Sequence, residues 1–281
     1  MSNTDSSTPS LPTRVIEPRR GWLAVNWGEI WLYRELLFFL AWRDVTIRYK
    51  QTVLGVLWAF IQPFIKLVVF SVIFGKIAKI NSEGYPYPIF AFAGLLPWQF
   101  FSEAMTRSSQ SVVGSANLIT KVYFPRLIVP LSSAGACLVD FAISFLILFG
   151  LMFYYGTPFT IGLVTIIPLV ILTILTALGT GIFLSALSVA YRDFQHIIPF
   201  AVQIWFFLTP VVYPVKAVPS SLQWLLALNP MTGIVDAYRA AILGKPFAWG
   251  HLTVSMCVSI ALFLLGAYYF RRVENRFADV V

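Results

Sequence analysis

Charge is what this sequence has least of: 11% of its 281 residues are Asp, Glu, Lys or Arg, where a soluble domain carries about 25%. With 58% of positions hydrophobic, a water-soluble fold of this length has nowhere to bury its apolar surface. Ionisable groups are costly in hydrocarbon, so a chain depleted in them is built to meet lipid. Cysteine is scarce as well. Cys137 and Cys257 both fall inside apolar runs, which excludes a disulfide framework and a cysteine-based metal cluster. The two histidines, His196 and His251, are isolated, so no set of metal ligands has workable spacing and no metal is expected. Neither G-x-S-x-G nor G-x-x-x-x-G-K-[ST] occurs. The chain therefore lacks both the nucleophile elbow of a hydrolase and the loop that cradles nucleotide phosphates. No catalytic residues are expected, and ATP-driven work requires another subunit.

The excess of 20 Lys and Arg over 12 Asp and Glu does not point to nucleic acid, because the basic residues lie between apolar runs and form no single stripe. The first twenty residues hold Asp5, Glu17 and three prolines and lack the apolar core of a secretory signal. Residues 1–28 read as a disordered cytosolic tail and residues 29–281 as one transmembrane domain.

Six apolar runs approach the length that crosses a bilayer: Leu54 to Phe74, Ile89 to Val113, Leu127 to Tyr155, Ile161 to Val189, Ile197 to Tyr213 and Leu252 to Phe270. Prolines 63, 97, 130, 168 and 210 interrupt five of them, which predicts kinks that neighbouring helices must satisfy. An all-α polytopic fold with about six transmembrane helices follows. Short cytoplasmic loops carry the Lys/Arg excess. Arg34, Arg43, Arg48 and Lys50 precede the first run, Arg107, Lys121 and Arg126 flank the second connection, Arg192 lies in the fourth, and Arg271, Arg272 and Arg276 follow the last. Both termini are thereby placed in the cytoplasm.

Two apolar segments are too short to span. Leu36 to Trp42 lies between Arg34-Glu35 and Arg43-Asp44, with Trp27, Trp31 and Tyr33 upstream. That pattern predicts a helix in the cytoplasmic membrane interface, with an ordinary buried helix as the alternative. Val218 to Leu243 is broken at Pro219 and Asn229-Pro230 and predicts two short helices in a re-entrant or interfacial hairpin on the outer side, acceptable in lipid only if protein covers the broken backbone.

Lys66, Glu103 and Asp140 fall near the middle of their runs, where ionisable groups are functional candidates. Trp58, Gln62 and Lys66 recur at every fourth residue, and Gln99, Glu103, Thr106 and Gln110 share one helical face. Two readings stand: Lys66 pairs with Glu103 or Asp140 to neutralise buried charge, or the stripes line a hydrated path. Aromatics make up 16% of the chain, with Phe90, Phe92, Trp98, Phe100 and Phe101 opening the second span. They fit an interfacial belt and helix packing, or a pore that passes glycans along ring faces.

The stretch from Leu96 to Asp140 holds PWQFF and NLITKVYFPR, and YRDFQH is followed by PVVYP and LNPM further on. This combination resembles the membrane subunits of polysaccharide-exporting ABC transporters, the O-antigen, capsule and teichoic-acid (Wzm-type) permeases, from about Leu36 to the C-terminus. The resemblance implies a pair of such permeases with two ATP-binding-cassette subunits that hold ATP and Mg, moving an undecaprenyl-linked glycan through a channel in the bacterial plasma membrane. It assigns the region of Asn117, Lys121, Tyr123, Phe124, Pro125 and Arg126 to a coupling helix docked on the ATPase; an ordinary basic loop is the alternative. It assigns Trp58, Gln62 and Trp205 to the channel, with Trp98 and Phe101 as candidates beside them. The hairpin with Trp224, Asn229, Pro230 and Arg239 becomes an outer gate. A drug or hydrophobic-peptide efflux permease of the same architecture is the nearest rival. A membrane glycosyltransferase and an ion-coupled carrier are more distant ones, the latter because no repeated span groups are found.

Overall fold

The computed structural model describes residues 27–50, 55–274 and 277; the expected tail as far as residue 26, Leu54 and Arg276 lie outside them. Helices form at each of the six expected runs. In chain order they are α1 (Trp27–Leu32), α2 (Arg34–Lys50), α3 (Leu57–Phe70), α4 (Tyr87–Gly114), α5 (Ala116–Lys121), α6 (Ile128–Tyr154), α7 (Ile166–Ala190), α8 (Phe194–Leu208), α9 (Ser220–Leu228), α10 (Pro230–Leu243) and α11 (Trp249–Glu274). No β-strand occurs among the described residues. Among the described residues, four helical stretches are long and apolar enough to cross a membrane: Leu57–Ile77, Ile128–Tyr154, Ile161–Ala190 and Trp249–Glu274. Helix α4, at 28 residues, has the length but carries Glu103 and Arg107. Helix α8 has 15 residues, about 22 Å at 1.5 Å per residue. It ends at Leu208, five residues before the apolar run does, because Pro210 cannot continue it.

Helix α4 is the centre of the bundle, packed on α6, α7 and α10; every residue from 89 to 98 is buried. Lipid is as apolar as leucine, so close backbone approach rather than hydrophobicity has to hold such helices together. Small residues provide it. A Cβ at Gly266 in α11 would stand 2.4 Å from the Gly179 carbonyl oxygen of α7, and Thr176 and Ser259 share a hydroxyl hydrogen bond of 2.7 Å between the same two helices.

Helix α2 is longer than the apolar segment that predicts it, and it packs lengthwise on α6. Leu40 is buried, Ala41 faces Gly135, and Arg48 pairs with Asp140. Asp140 stands twelve residues into α6, roughly 18 Å along its axis, and the C-terminal turns of α2 reach it. The far side of α2, Phe38, Phe39 and Trp42, is exposed.

The hairpin expected at 218–243 forms as two helices meeting at Asn229-Pro230, but they differ in burial. In α10 every residue except Asp236 is buried, whereas in α9 only Leu226 is. Helix α10 is also fully capped: the Asn229 side chain accepts from the Met231 amide at 3.0 Å, Pro230 opens the helix, and Gly244 closes it at φ +69°, the left-handed end that favours glycine.

Candidate functional site

Three regions carry the polar side chains: the α5 end of the bundle, the open faces of α3, α4 and α8, and the opposite end, which holds residues 78–86, 209–219 and 244–248.

At the α5 end, Asn117, Lys121 and Tyr123 are exposed, Tyr123 by 68%. Phe124 is not. It is 4% exposed and packs in a cluster with Val112, Ile119, Ile128 and Phe270, so the expectation that Phe124 seeks a partner protein is corrected: its partner is this chain's own core. Pro125 lies beyond the end of α5. The helix ends at Lys121, Val122 is extended, and the Pro125 carbonyl accepts the Ile128 amide at 3.0 Å, which starts α6. Arg126 is used internally: its guanidinium donates to the Glu274 carbonyl and its amide to Glu274 Oε1 at 3.2 Å. What this end offers to the outside is Asn117, Thr120, Lys121, Val122 and Tyr123.

On the open faces, Trp58 is 40% exposed and Gln62 and Lys66 are exposed beside it. The expected pairing of Lys66 with a carboxylate does not occur. Glu103 takes Arg107, one turn along its own helix, at 2.6 Å. Asp140 takes Arg48 and the Tyr49 hydroxyl, both from α2, because α2 continues to Lys50, well past the short apolar run. Glu103, Arg107 and Gln110 form an exposed stripe on α4, and Gln203 is exposed on α8. Trp98 and Phe101 are correspondingly corrected from path to core. They are 4% and 0% exposed, in an aromatic cluster with Trp205, whose ring lies 5.1 Å from Phe101, and with Phe206, 5.8 Å from Trp98. Of the five path candidates, Trp58 and Gln62 reach the surface and Trp205 is half-buried.

At the opposite end, Asn229 holds three elements. Its Oδ1 accepts from Trp205 Nε1 at 3.0 Å as well as from Met231, and its Nδ2 donates to Thr209 Oγ1 at 2.8 Å. Trp224 is 63% exposed on α9. Arg239, 2% exposed, donates to the carbonyls of Pro210 at 2.8 Å, Tyr213 at 3.2 Å and Phe90 at 3.3 Å, and to Val211. Its guanidinium lies 3.9 Å from the Phe90 ring centroid. Thus Arg239 satisfies the broken backbone after α8 and ties it to α4 and α10.

A feature not anticipated from the residue pattern is Glu83, in the 78–86 connection. Its carboxylate accepts from Lys245 at 2.6 Å and stands 3.9 Å from Lys216. The hydrogen bond from Lys245 holds the Glu83 pKa below its ordinary value of 4.5. A depressed carboxylate contributes stability that is present above the unfolded pKa and lost as pH falls through the folded one. The thermal midpoint of the wild type should therefore exceed that of Glu83→Gln at neutral pH, and the gap should close as the pH is lowered through and below about 4.5. A gap that persists at the lowest pH would show that the ion pair is not its source.

Residues 35–243, α2 to α10, match the ABC-2 type transporter family. The chain belongs to that family. The O-antigen export system permease protein RfbA of Myxococcus xanthus is 31% identical over 257 residues, which cover 90% of this chain and 98% of that protein. A Klebsiella pneumoniae protein of the same name is 25% identical over 88% of this chain and 95% of its own. The polysialic acid transport protein KpsM of Escherichia coli is 24% identical over 83% and 91%. As an ABC-2 type transporter the chain is a multi-pass membrane protein and a transport subunit. The α5 end, the open polar faces and Arg239 all lie within the part that matches the ABC-2 family.

Proposed function

We propose that this chain is the permease subunit of an ATP-driven exporter that moves a lipid-linked polysaccharide across a bacterial plasma membrane. The observation that carries the reading is polarity where lipid cannot tolerate it. Lys66 in the helical stretch Leu57–Ile77, and Glu103 and Arg107 on α4, are exposed well inside stretches of spanning length, with Gln62 and Gln110 on the same faces. Lipid-facing charge at such positions is expensive and rare, so these faces require water or protein. A single copy leaves them uncovered; two copies facing one another across a hydrated path cover them. The relatives named for O-antigen and polysialic acid export support a hydroxyl-rich cargo. A permease for drugs or hydrophobic peptides favours an apolar lateral route instead.

In this reading the α5 end faces the cytoplasm, as the Lys/Arg bias requires, and docks on an ATP-binding subunit that holds ATP and Mg. Tyr123 is the anchor, with Asn117 and Lys121 beside it. Helix α5 follows α4 after a single residue, the segment 122–127 that holds Tyr123 leads on into α6, and α4 packs on α6 and α7. A push on Tyr123 is therefore delivered to the centre of the bundle and to the Glu103 stripe on α4. Coupling needs contacts that differ between two states of the bundle, and the exposed α3 and α8 faces are the ones free to make them. The cargo is an undecaprenyl-linked glycan.

The test is to purify the tagged full chain from its native membrane in mild detergent. The expected result is a dimer that brings an ATP-binding subunit in equal stoichiometry and that, in vesicles, moves a lipid-linked glycan only with ATP. A chain that comes alone and monomeric, or transport that follows an ion gradient and ignores ATP, would overturn the reading.

A further inference from the structure

Between the 78–86 connection, the segment after α8 and the segment after α10 lies a cleft of about 520 Å³, within the range of pockets that hold small ligands. Asn81, Glu83, Tyr85, Lys216 and Lys245 line it. Its floor is built rather than accidental. Glu83 takes a left-handed backbone at φ +57°, uncommon for any residue but glycine, and the Asn81 side chain holds that turn by accepting the Glu83 amide at 2.8 Å. Lys245 is fixed by Glu83 Oε2 at 2.6 Å and lies 4.6 Å from the Tyr85 ring centroid.

Around that fixed pair several groups have unused hydrogen-bonding capacity. Lys216 is 89% exposed and stands 3.9 Å from Glu83 Oε1, beyond hydrogen-bond reach. Among the described residues, the Asn81 side-chain NH2 and the Tyr85 hydroxyl donate to no protein group. The cleft therefore combines amide, phenol and ammonium donors with one open carboxylate oxygen, beside an aromatic ring. A sugar ring has hydroxyls that donate and accept at once and a C–H face that suits an aromatic neighbour. A bare phosphate, which at neutral pH is chiefly an acceptor, has little use for the carboxylate. Two ammonium groups against one carboxylate leave the site with net positive charge.

We propose that this cleft is a saccharide-binding site that takes one sugar unit with an acidic substituent: Lys216 pairs with the acid group, and Glu83 Oε1 and the Asn81 amide hold ring hydroxyls. Its placement on the outer face rests on the export reading and the orientation given above; the binding chemistry does not. A sugar unit held there is one that has already left the bundle.

The test is saturation-transfer NMR on the full chain in phosphatidylcholine nanodiscs, with glucuronic acid, glucose and inorganic phosphate as probes. Glucuronic acid should give saturable transfer and bind more tightly than glucose. Lys216→Ala should weaken glucuronic acid about tenfold, the scale of one charged hydrogen bond, and bring it level with glucose. Because Lys216 is almost fully exposed, that variant should fold like the wild type, which gel filtration checks. Absence of saturable transfer, or glucuronic acid binding that Lys216→Ala leaves unchanged, overturns the proposal. So does phosphate that competes as well as glucuronic acid while glucose fails to bind, which would make the cleft an anion or headgroup site. The assay needs neither ATP nor an ATPase subunit, so a failure here leaves the export reading standing, and a failure of co-purification leaves this one standing.

Discussion

Replacing Arg239 with methionine is expected to remove most of the folded protein from the membrane. The side chain is 2% exposed, and no carboxylate pairs with it among the described residues. Its N–H groups are met by four carbonyl oxygens, those of Phe90, Pro210, Val211 and Tyr213. Non-helical backbone within a membrane domain is tolerated only where protein satisfies it, and here one guanidinium does so. Methionine has similar reach and fits an apolar site, so the expected loss comes from hydrogen bonding rather than from volume. Each carbonyl left buried without a donor costs about 1–3 kcal/mol. Two of them alone approach a large part of the roughly 5–15 kcal/mol that separates a folded domain from its unfolded state. Lysine keeps the charge but loses the planar fork, so Arg239→Lys should fall between the wild type and Arg239→Met. Gly94 offers a second route to the same point, since a Cβ there would stand 2.7 Å from the Val211 oxygen and 2.9 Å from Arg239 Nη2. The measurement is monodisperse yield and thermal midpoint in mild detergent. An Arg239→Met protein with wild-type values for both would show that the carbonyl grip is dispensable.

Arg239 also shows where reading the chain stops short. Apolar runs, and breakers such as Pro210 and Asn229-Pro230, are local, and the helices and the turn of the hairpin follow from them. Which face of a helix is inside is a different matter. In water, apolar periodicity marks the buried side. In lipid both sides are apolar, and that signal vanishes. Trp98 and Phe101 lie in one aromatic stretch with nothing local to separate path from core; only the approach of Trp205 and Phe206 from α8 settles it. The grip on the Pro210 carbonyl joins residues 29 apart, and that on Phe90 joins residues 149 apart. The local hint was Gly94, a residue without a side chain in the middle of an aromatic run.

The intramembrane charges carry the same lesson. The depth of Lys66, Glu103 and Asp140 is legible, but the choice of partner is not. Arg48 reads as an orientation signal beside a short apolar segment, yet α2 carries it to Asp140 through a helix of 17 residues. With Asp140 and Glu103 both satisfied by arginines, Lys66 is left on an exposed face. That outcome shifts its role from neutralising a buried carboxylate towards meeting water or a second copy, and it strengthens the case for a hydrated path along α3.

The sharpest separation of fold from function lies in two adjacent residues. Phe124→Asp places a carboxylate in the cluster of Val112, Ile119, Ile128 and Phe270. Removing a buried phenylalanine costs about 3–5 kcal/mol, and the unpaired carboxylate adds a desolvation penalty, so this variant should fail to accumulate as folded protein. Tyr123→Asp alters a side chain that is 68% exposed, where substitutions shift stability by about 0.5 kcal/mol or less. It should fold, insert and run on gel filtration like the wild type. If Tyr123 is the anchor for an ATP-binding subunit, its loss removes a central aromatic contact of the kind worth about 2 kcal/mol or more. Association should then weaken roughly thirtyfold, and export should fall with it. Folded yield, co-purification and export therefore divide the two variants. Normal folding of Phe124→Asp would contradict its burial in the core. Wild-type export by Tyr123→Asp would remove the anchor and send the search for the docking contact to Asn117, Thr120 and Lys121, the polar residues exposed beside it.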